Sequence, residues 1–204
     1  MGEDDPLLSR LLDTVSRPRY LPLGSTEGLR RLGNGVPDVA VAAGPTAAEH
    51  DATDIGGWQR EWGLVVGPDT DVSDLGDLID GDYRFVNRDT ASGLRRSFDD
   101  ALDAFGDERG IGRAEVVDAI DGYELTTKAH ESPARKVLAG DADAGLGLRA
   151  TATKLDLGFV SLGTQSVRVL ANPDRRGKDS VGALAEALDD LDSLADGMAG
   201  MEPQ

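Results

Sequence analysis

An α/β fold is what the sequence predicts, because short apolar runs that read as strands are interleaved with segments whose apolar residues recur at helical spacing, and polar glycine-rich turns separate them. The chain has 204 residues, which is enough for one good core or for two small lobes. Strands alternating with helices favour mostly parallel layers over a sandwich or a bundle, and in such sheets ligands sit at the carboxyl ends of the strands.

Taken in order, Leu7, Leu8, Leu11, Leu12 and Val15 follow an acidic first turn and mark an amphipathic helix over 6–16. Tyr20 to Leu23 is extended. Gly24-Ser25-Thr26-Glu27-Gly28 leads into a helix carrying Leu29 and Leu32 that ends at Gly33-Asn34-Gly35, and Asp38 to Ala42 is a strand. Gly44 to Gly57 is polar and weakly patterned, a loop into the strand Trp62 to Val66. Beyond Gly67-Pro68-Asp69 come a short helix at Val72 to Ile79, a strand at Tyr83 to Val86, and a helix from Gly93 to Phe105 with Leu94, Phe98 and Leu102 on one face. A helix at Arg113 to Ile120 precedes a strand at Tyr123 to Thr126. Proline in its first turn and Gly140 past its end bracket a helix over 133–139. Asp143 to Leu148, Leu157 to Leu162 and Val167 to Leu170 read as strands, 181–195 as a last amphipathic helix, and 197–204 as a tail small and polar enough to fray. No internal repeat is visible.

The chain carries 38 acidic and 21 basic residues, a net charge of -17. Self-repulsion of that size disfavours nucleic acid or an anionic membrane surface as a partner. Only four of the basic residues are lysines, Lys128, Lys136, Lys154 and Lys178. Dense carboxylates with few lysines keep a protein hydrated where salt screens charge over a few ångströms, so the composition reads as halophilic. The absence of cysteine excludes disulfides, thiolate metal ligands and a lipoprotein anchor. Met1-Gly2-Glu3-Asp4-Asp5-Pro6 has no basic region and no apolar signal core, and no run approaches the ~18 apolar residues of a membrane span. A cytoplasmic setting is expected.

The most informative segment runs from Arg84 through Asn87, Arg88 and Ser92 to Arg95, a strand passing through a polar turn into a helix. Ser92 and Gly93 lie where free backbone N–H groups and the helix dipole would hold a small anion, with Asn87, Arg88 and Arg95 as further donors. The same residues fit a plainer role, Ser92 as an ordinary N-cap and the arginines answering nearby aspartates. A second such place is Ser25 and Thr26, again at a strand-to-helix junction, where Glu27 opposes an anion unless it points away. His130, just before the helix at Pro133, is a third candidate or a surface capping residue. His50 is read as solvent-facing, and Asp141 and Asp143 as turn and strand edge. G-x-S-x-G, the P-loop, G-x-G-x-x-G before a helix and H-E-x-x-H are all missing, so no enzyme activity, cofactor or metal is expected.

Three segments resemble the periplasmic-binding-protein-like domain attached to molybdopterin molybdotransferases and to molybdate-related helix-turn-helix regulators. They are Gly24-Ser25-Thr26-Glu27-Gly28-Leu29-Arg30-Arg31-Leu32 with Gly35 and Asp38 to Ala40, Phe85-Val86-Asn87-Arg88-Asp89-Thr90-Ala91-Ser92-Gly93-Leu94-Arg95, and His130 with Gly140 to Gly147 and Gly158 to Leu162. The composition is of haloarchaeal type. The resemblance implies a type II binding fold, two α/β lobes joined by two crossing strands, with lobe 1 over 1–66 and 160–204 and lobe 2 over 67–159. It implies an oxyanion, molybdate or tungstate first, held between lobes by Ser25 and Thr26 from one side and Asn87, Arg88, Ser92, Gly93 and Arg95 from the other, with His130 closing the site. Ala91 and Leu94 depart from the family's glycine and threonine. The family usually begins with a strand before its first helix, whereas here the helix starts by residue 6, so that strand is lost, or the chain is a piece of a longer protein, or its start is misplaced. The alternative reading is a regulatory or interaction appendage of a molybdenum-cofactor enzyme or regulator, with a vestigial site.

Overall fold

The computed structural model describes residues 1–44 and 52–204, so His50 and half of the loop read at 44–57 lie outside the described residues. The chain divides into two compact units, Met1–Arg60 with Ala91–Gly93 and Gln165–Gln204, and Glu61–Thr90 with Leu94–Thr164. The turn Ala91–Gly93 thus falls in the same unit as Ser25, whereas the sequence reading set the two in different lobes.

In the first unit, helix α1 (Pro6–Asp13) opens on Asp5, whose carboxylate accepts the Leu7 amide at 2.9 Å. That cap, with proline in the first turn, is why the helix starts there. Leu7 and Leu11 are fully buried, and α1 packs on α8 (Asp179–Asp189) and α9 (Leu191–Ala195). One helix was expected over 181–195; the structure breaks it at Asp190. Helix α2 (Ser25–Gly33) lays Leu29 and Leu32 on Ala40 and Ala42 of strand β1 (Val39–Ala43). β1 pairs antiparallel with β6 (Gly158–Ala171).

No named strand precedes α1, but residues 1–3 are bonded to the chain on both sides. Glu3 N donates to Val41 O and Val41 N to Met1 O, both at 2.9 Å, while Gly2 N donates to Leu21 O at 3.2 Å and Leu23 N to Gly2 O at 3.0 Å. Gly2 therefore bridges in parallel to Pro22 on one side and Val41 on the other. A Cβ there would stand 2.0 Å from Val41 O, and the φ of 137° also favours glycine. Three residues leave no periodicity to read.

Strand β2 (Thr53–Val66) has 14 residues, not the five expected, and so does β6, where two strands were expected. Each belongs to the first unit at one end and to the second at the other. The tail expected to fray instead forms β7 (Met201–Pro203), antiparallel to β2 with Arg60 opposite Met201, because Met201 buries its side chain and gains a ladder.

In the second unit β2 pairs antiparallel with β5 (Ala144–Leu148), and β5 parallel with β3 (Phe85–Arg88), which pairs parallel with the two-residue β4 (Thr126–Thr127). The sheet is mixed rather than mostly parallel, because β2 and β6 pair antiparallel with β5 and β1. Helices α3 (Leu75–Asp80), α4 (Gly93–Arg109), α5 (Arg113–Asp118) and α6 (Ser132–Leu138) fall close to their expected positions, and α7 (Arg149–Lys154) was not expected. Phe85 and Phe98 are fully buried with ring centroids 5.2 Å apart. Among the described residues no helix is long and apolar enough to cross a membrane.

Phe98→Ala is expected to lower the free energy of unfolding by about 3–5 kcal/mol, read from urea denaturation. A second expectation concerns pH. Hydrogen bonding from Arg149 holds Glu61 below its ordinary value of 4.5. A carboxylate with a depressed folded-state value contributes stability that is complete above 4.5 and is lost as the pH falls below it. The urea midpoint of Glu61→Gln should therefore lie below that of the parent at pH 7, and the gap should close on acidification.

Candidate functional site

Three of the residues the sequence singled out, Ser25, Ser92 and Gly93, converge on Glu3. Its carboxylate lies in the first unit and is fully buried. Ser25 Oγ donates to Oε2 at 2.8 Å, Ser92 Oγ to Oε1 at 2.9 Å, and the Gly93 amide to Oε2 at 3.0 Å, while Arg60 Nη2 stands 3.5 Å from Oε1. Gly93, which supplies that amide, is the first residue of α4 and belongs to the first unit with Glu3.

Local sequence places each donor. Gly24, at φ 80°, turns the chain so that Ser25 begins α2, and a Cβ on Gly24 would stand 2.3 Å from Ala91 O, so the two turns touch backbone to backbone. Ser25 Oγ also accepts the Ala43 amide at 3.0 Å, which fixes the hydroxyl hydrogen on Glu3. Arg60, fully buried, donates Nη1 to Asp5 at 2.8 Å and Nε to Gln165 Oε1 at 2.9 Å. Gln165 in turn donates Nε2 to Gly93 O at 3.0 Å, tying the arginine to the same helix start. Tyr20 OH donates to Glu3 O, and burial beside Glu3 pushes that phenol up from its ordinary value. Two buried carboxylates thus share one buried guanidinium, and the remaining negative charge is met by two hydroxyls and an amide.

Of the residues expected to bind a ligand, Ser25, Ser92 and Gly93 are brought together here. Thr26 is exposed beside them. Asn87, Arg88, Arg95 and His130 belong to the second unit. Asn87 Nδ2 donates to Tyr123 O at 3.2 Å and its Oδ1 accepts the Arg88 amide at 2.8 Å. Arg88 Nη2 donates to Lys128 O at 2.8 Å. Arg95 Nε pairs with Asp99 at 2.9 Å, and its guanidinium lies 4.1 Å from the centroid of the Tyr123 ring. His130 Nε2 is 3.8 Å from Glu131, which also holds Arg135 and Lys154. Glu27 turns back on its own helix, where Arg30 and Arg31 hold its carboxylate down at about 2. Among the described residues no group of His, Asp and Glu could hold a metal ion.

Glu3, Asp5, Arg60 and Gln165 were missed by sequence reasoning. One signal was present: Trp58, Arg60 and Trp62 share one face of a strand, and an arginine flanked by two tryptophans on a face that buries them needs a buried partner.

Two α/β units that share two long strands, one unit carrying donors gathered at a helix start, have the build of a substrate-binding protein. The chain belongs to the PBP superfamily domain family, which matches residues 10–189. Similar solved structures include a Clostridium perfringens protein described as a phosphate ABC transporter substrate-binding protein with bound phosphate, at 10% identity and TM-score 0.68 over 100% of this chain and 98% of that one. MotA from A. tumefaciens B6 in complex with glucopine matches at 8% identity and TM-score 0.65, over 99% and 82% of the two chains. The reduced form of OxyR from N. meningitidis matches at 14% and 0.61, over 97% and 91%. At these identities the likeness shows the fold alone, that of type II periplasmic binding proteins. No curated protein sequence matches the chain.

Arg60→Met leaves Glu3 and Asp5 buried together without a cation and is expected to cost about 3–5 kcal/mol in urea denaturation. Adding Glu3→Gln and Asp5→Asn to the same chain is expected to recover most of that loss.

Proposed function

We propose that this chain is a non-enzymatic, binding-protein-like module whose oxyanion cradle is filled by its own Glu3 carboxylate, and that it acts as a regulatory or interaction module rather than as a receptor for a free oxyanion. The placement of that carboxylate carries the reading. Two buried hydroxyls, the amide at the start of α4 and a buried guanidinium are turned toward it. These are the donors a small oxyanion uses. A free anion entering beside Glu3 and Asp5 would add a third centre of negative charge around one arginine. The titratable groups of the cradle are engaged with one another, which supports a role without catalysis. The partner class is a molybdenum-cofactor enzyme or regulator, supported by the resemblance at Gly24 to Leu32, Phe85 to Arg95 and Gly140 to Gly147.

A second reading is favoured by the donor set itself and by the phosphate held in the Clostridium perfringens structure. It is a cytoplasmic sensor for molybdate or tungstate in which the ligand displaces Glu3 and takes over Ser25, Ser92, Gly93 and Arg60. Calorimetry and thermal melts in molar potassium chloride separate the two. With the parent chain, molybdate, tungstate and phosphate are expected to give neither heat nor stabilisation. Glu3→Ala removes a group the size of acetate, and acetate or phosphate at ~100 times its dissociation constant is expected to return about 2.7 kcal/mol of the lost stability. Micromolar molybdate or tungstate binding by the parent chain would overturn the self-filled reading and establish the sensor.

A further inference from the structure

The first unit contains a second concavity that shares none of the cradle's donors. It has a volume of about 460 Å³ and lies between α1, the segment 15–20, the segment 36–41 and the chain from Arg175 to Leu184. Part of its wall is apolar, formed by Leu8, Leu12, Val39, Val41, Val181 and Leu184. Four cations also line it, Arg17, Arg19, Arg175 and Lys178, against a single carboxylate, Asp38. In a chain of net charge -17, four of its 21 basic residues thus gather around one small space.

Two of the four cations are spoken for. Arg175 Nη1 and Lys178 Nζ both donate to Asp38 at 2.8 Å, and their hydrogen bonds hold that carboxylate below its ordinary value. Arg175 also caps the Val36 and Gly35 carbonyls. Arg17 and Arg19 are exposed, and among the described residues neither has a hydrogen bond or an ion pair. Arg17 keeps a left-handed backbone, φ 52°, a conformation uncommon for a residue with a Cβ and found where the surroundings require it. Asp and Glu make up 38 of the residues, yet among the described residues neither of these two arginines beside the hollow pairs with a carboxylate.

We infer that this hollow binds an amphipathic organic anion, a monocarboxylate with a hydrocarbon body. The body is covered by α1 and α8, and the head group is met by the guanidinium forks of Arg17 and Arg19. The size matches: pockets for small organic ligands run from ~300 to ~1,000 Å³ and combine apolar walls with a few charged anchors. Inorganic oxyanions are poor candidates because they cannot use the leucine and valine walls, and neutral hydrocarbons because they leave the two arginines unanswered.

The test is titration of the full chain with octanoate, octanol and acetate, followed by amide and methyl chemical shifts. Octanoate is expected to bind with shifts confined to Leu12, Val181, Leu184 and their neighbours, and acetate and octanol at least about tenfold more weakly. The double variant Arg17→Gln, Arg19→Gln changes two exposed side chains and should melt like the parent, yet lose about tenfold in octanoate affinity. Val181→Trp, which fills the hollow, should abolish binding, whereas Glu3→Ala should leave it unchanged, so that this inference and the reading of the cradle stand or fall separately. Equal binding of octanoate and octanol, an unaltered affinity in the double arginine variant, or shifts elsewhere on the chain would overturn it.

Discussion

A carboxylate taken fully out of water costs several kcal/mol unless charge and hydrogen bonds replace its hydration. Glu3 meets that requirement with groups drawn from three places in the sequence: Ser25 at the start of α2, Arg60 on β2, and Ser92 and Gly93 in the turn before α4. None of these is near another in the chain, and the first unit holds them together. The network therefore works as a tertiary constraint more than as a source of net stability. Replacing it wholesale with apolar side chains of similar volume need cost little, while deleting one member leaves the others stranded.

The same network shows which parts of the site were legible in the sequence. Ser25, Ser92 and Gly93 were legible because hydroxyls and glycine at strand-to-helix junctions are local signals, and each does present a donor. The acceptor was illegible because Glu3 follows an isolated bridge at Gly2, too short for any pattern, and reaches its partners across 22 and 89 positions of sequence. Asn87, Arg88 and Arg95 were also legible as polar residues near a turn. In the structure Asn87 and Arg88 donate to the carbonyls of Tyr123 and Lys128, and Arg95 pairs with Asp99, partners that no local pattern announces.

For the fold, the α/β class and most helices could be read because Leu94, Phe98 and Leu102, or Pro133 and Gly140, carry periodicity and caps on their own. Strand lengths could not. The first half of β2, Thr53 to Gly57, is polar and rich in glycine, and it is extended only because β6 lies alongside, with Gly57 closing on Val167 O. The direction of pairing was equally hidden, since it is set by where β2 and β6 run and not by the composition of either.

Arg60 and Glu61 are successive residues of β2, and strand geometry sends their side chains to opposite faces. Arg60 neutralises Glu3 and Asp5 in one unit, and Glu61 holds Arg149 in the other. Sliding the strand by one position would exchange them, setting a third carboxylate against two in a dry interior and turning a guanidinium toward Arg149. Hydrophobic patterning normally fixes how a strand is threaded; here electrostatic polarity imposes the same choice, and misthreaded forms are excluded by repulsion on both faces at once.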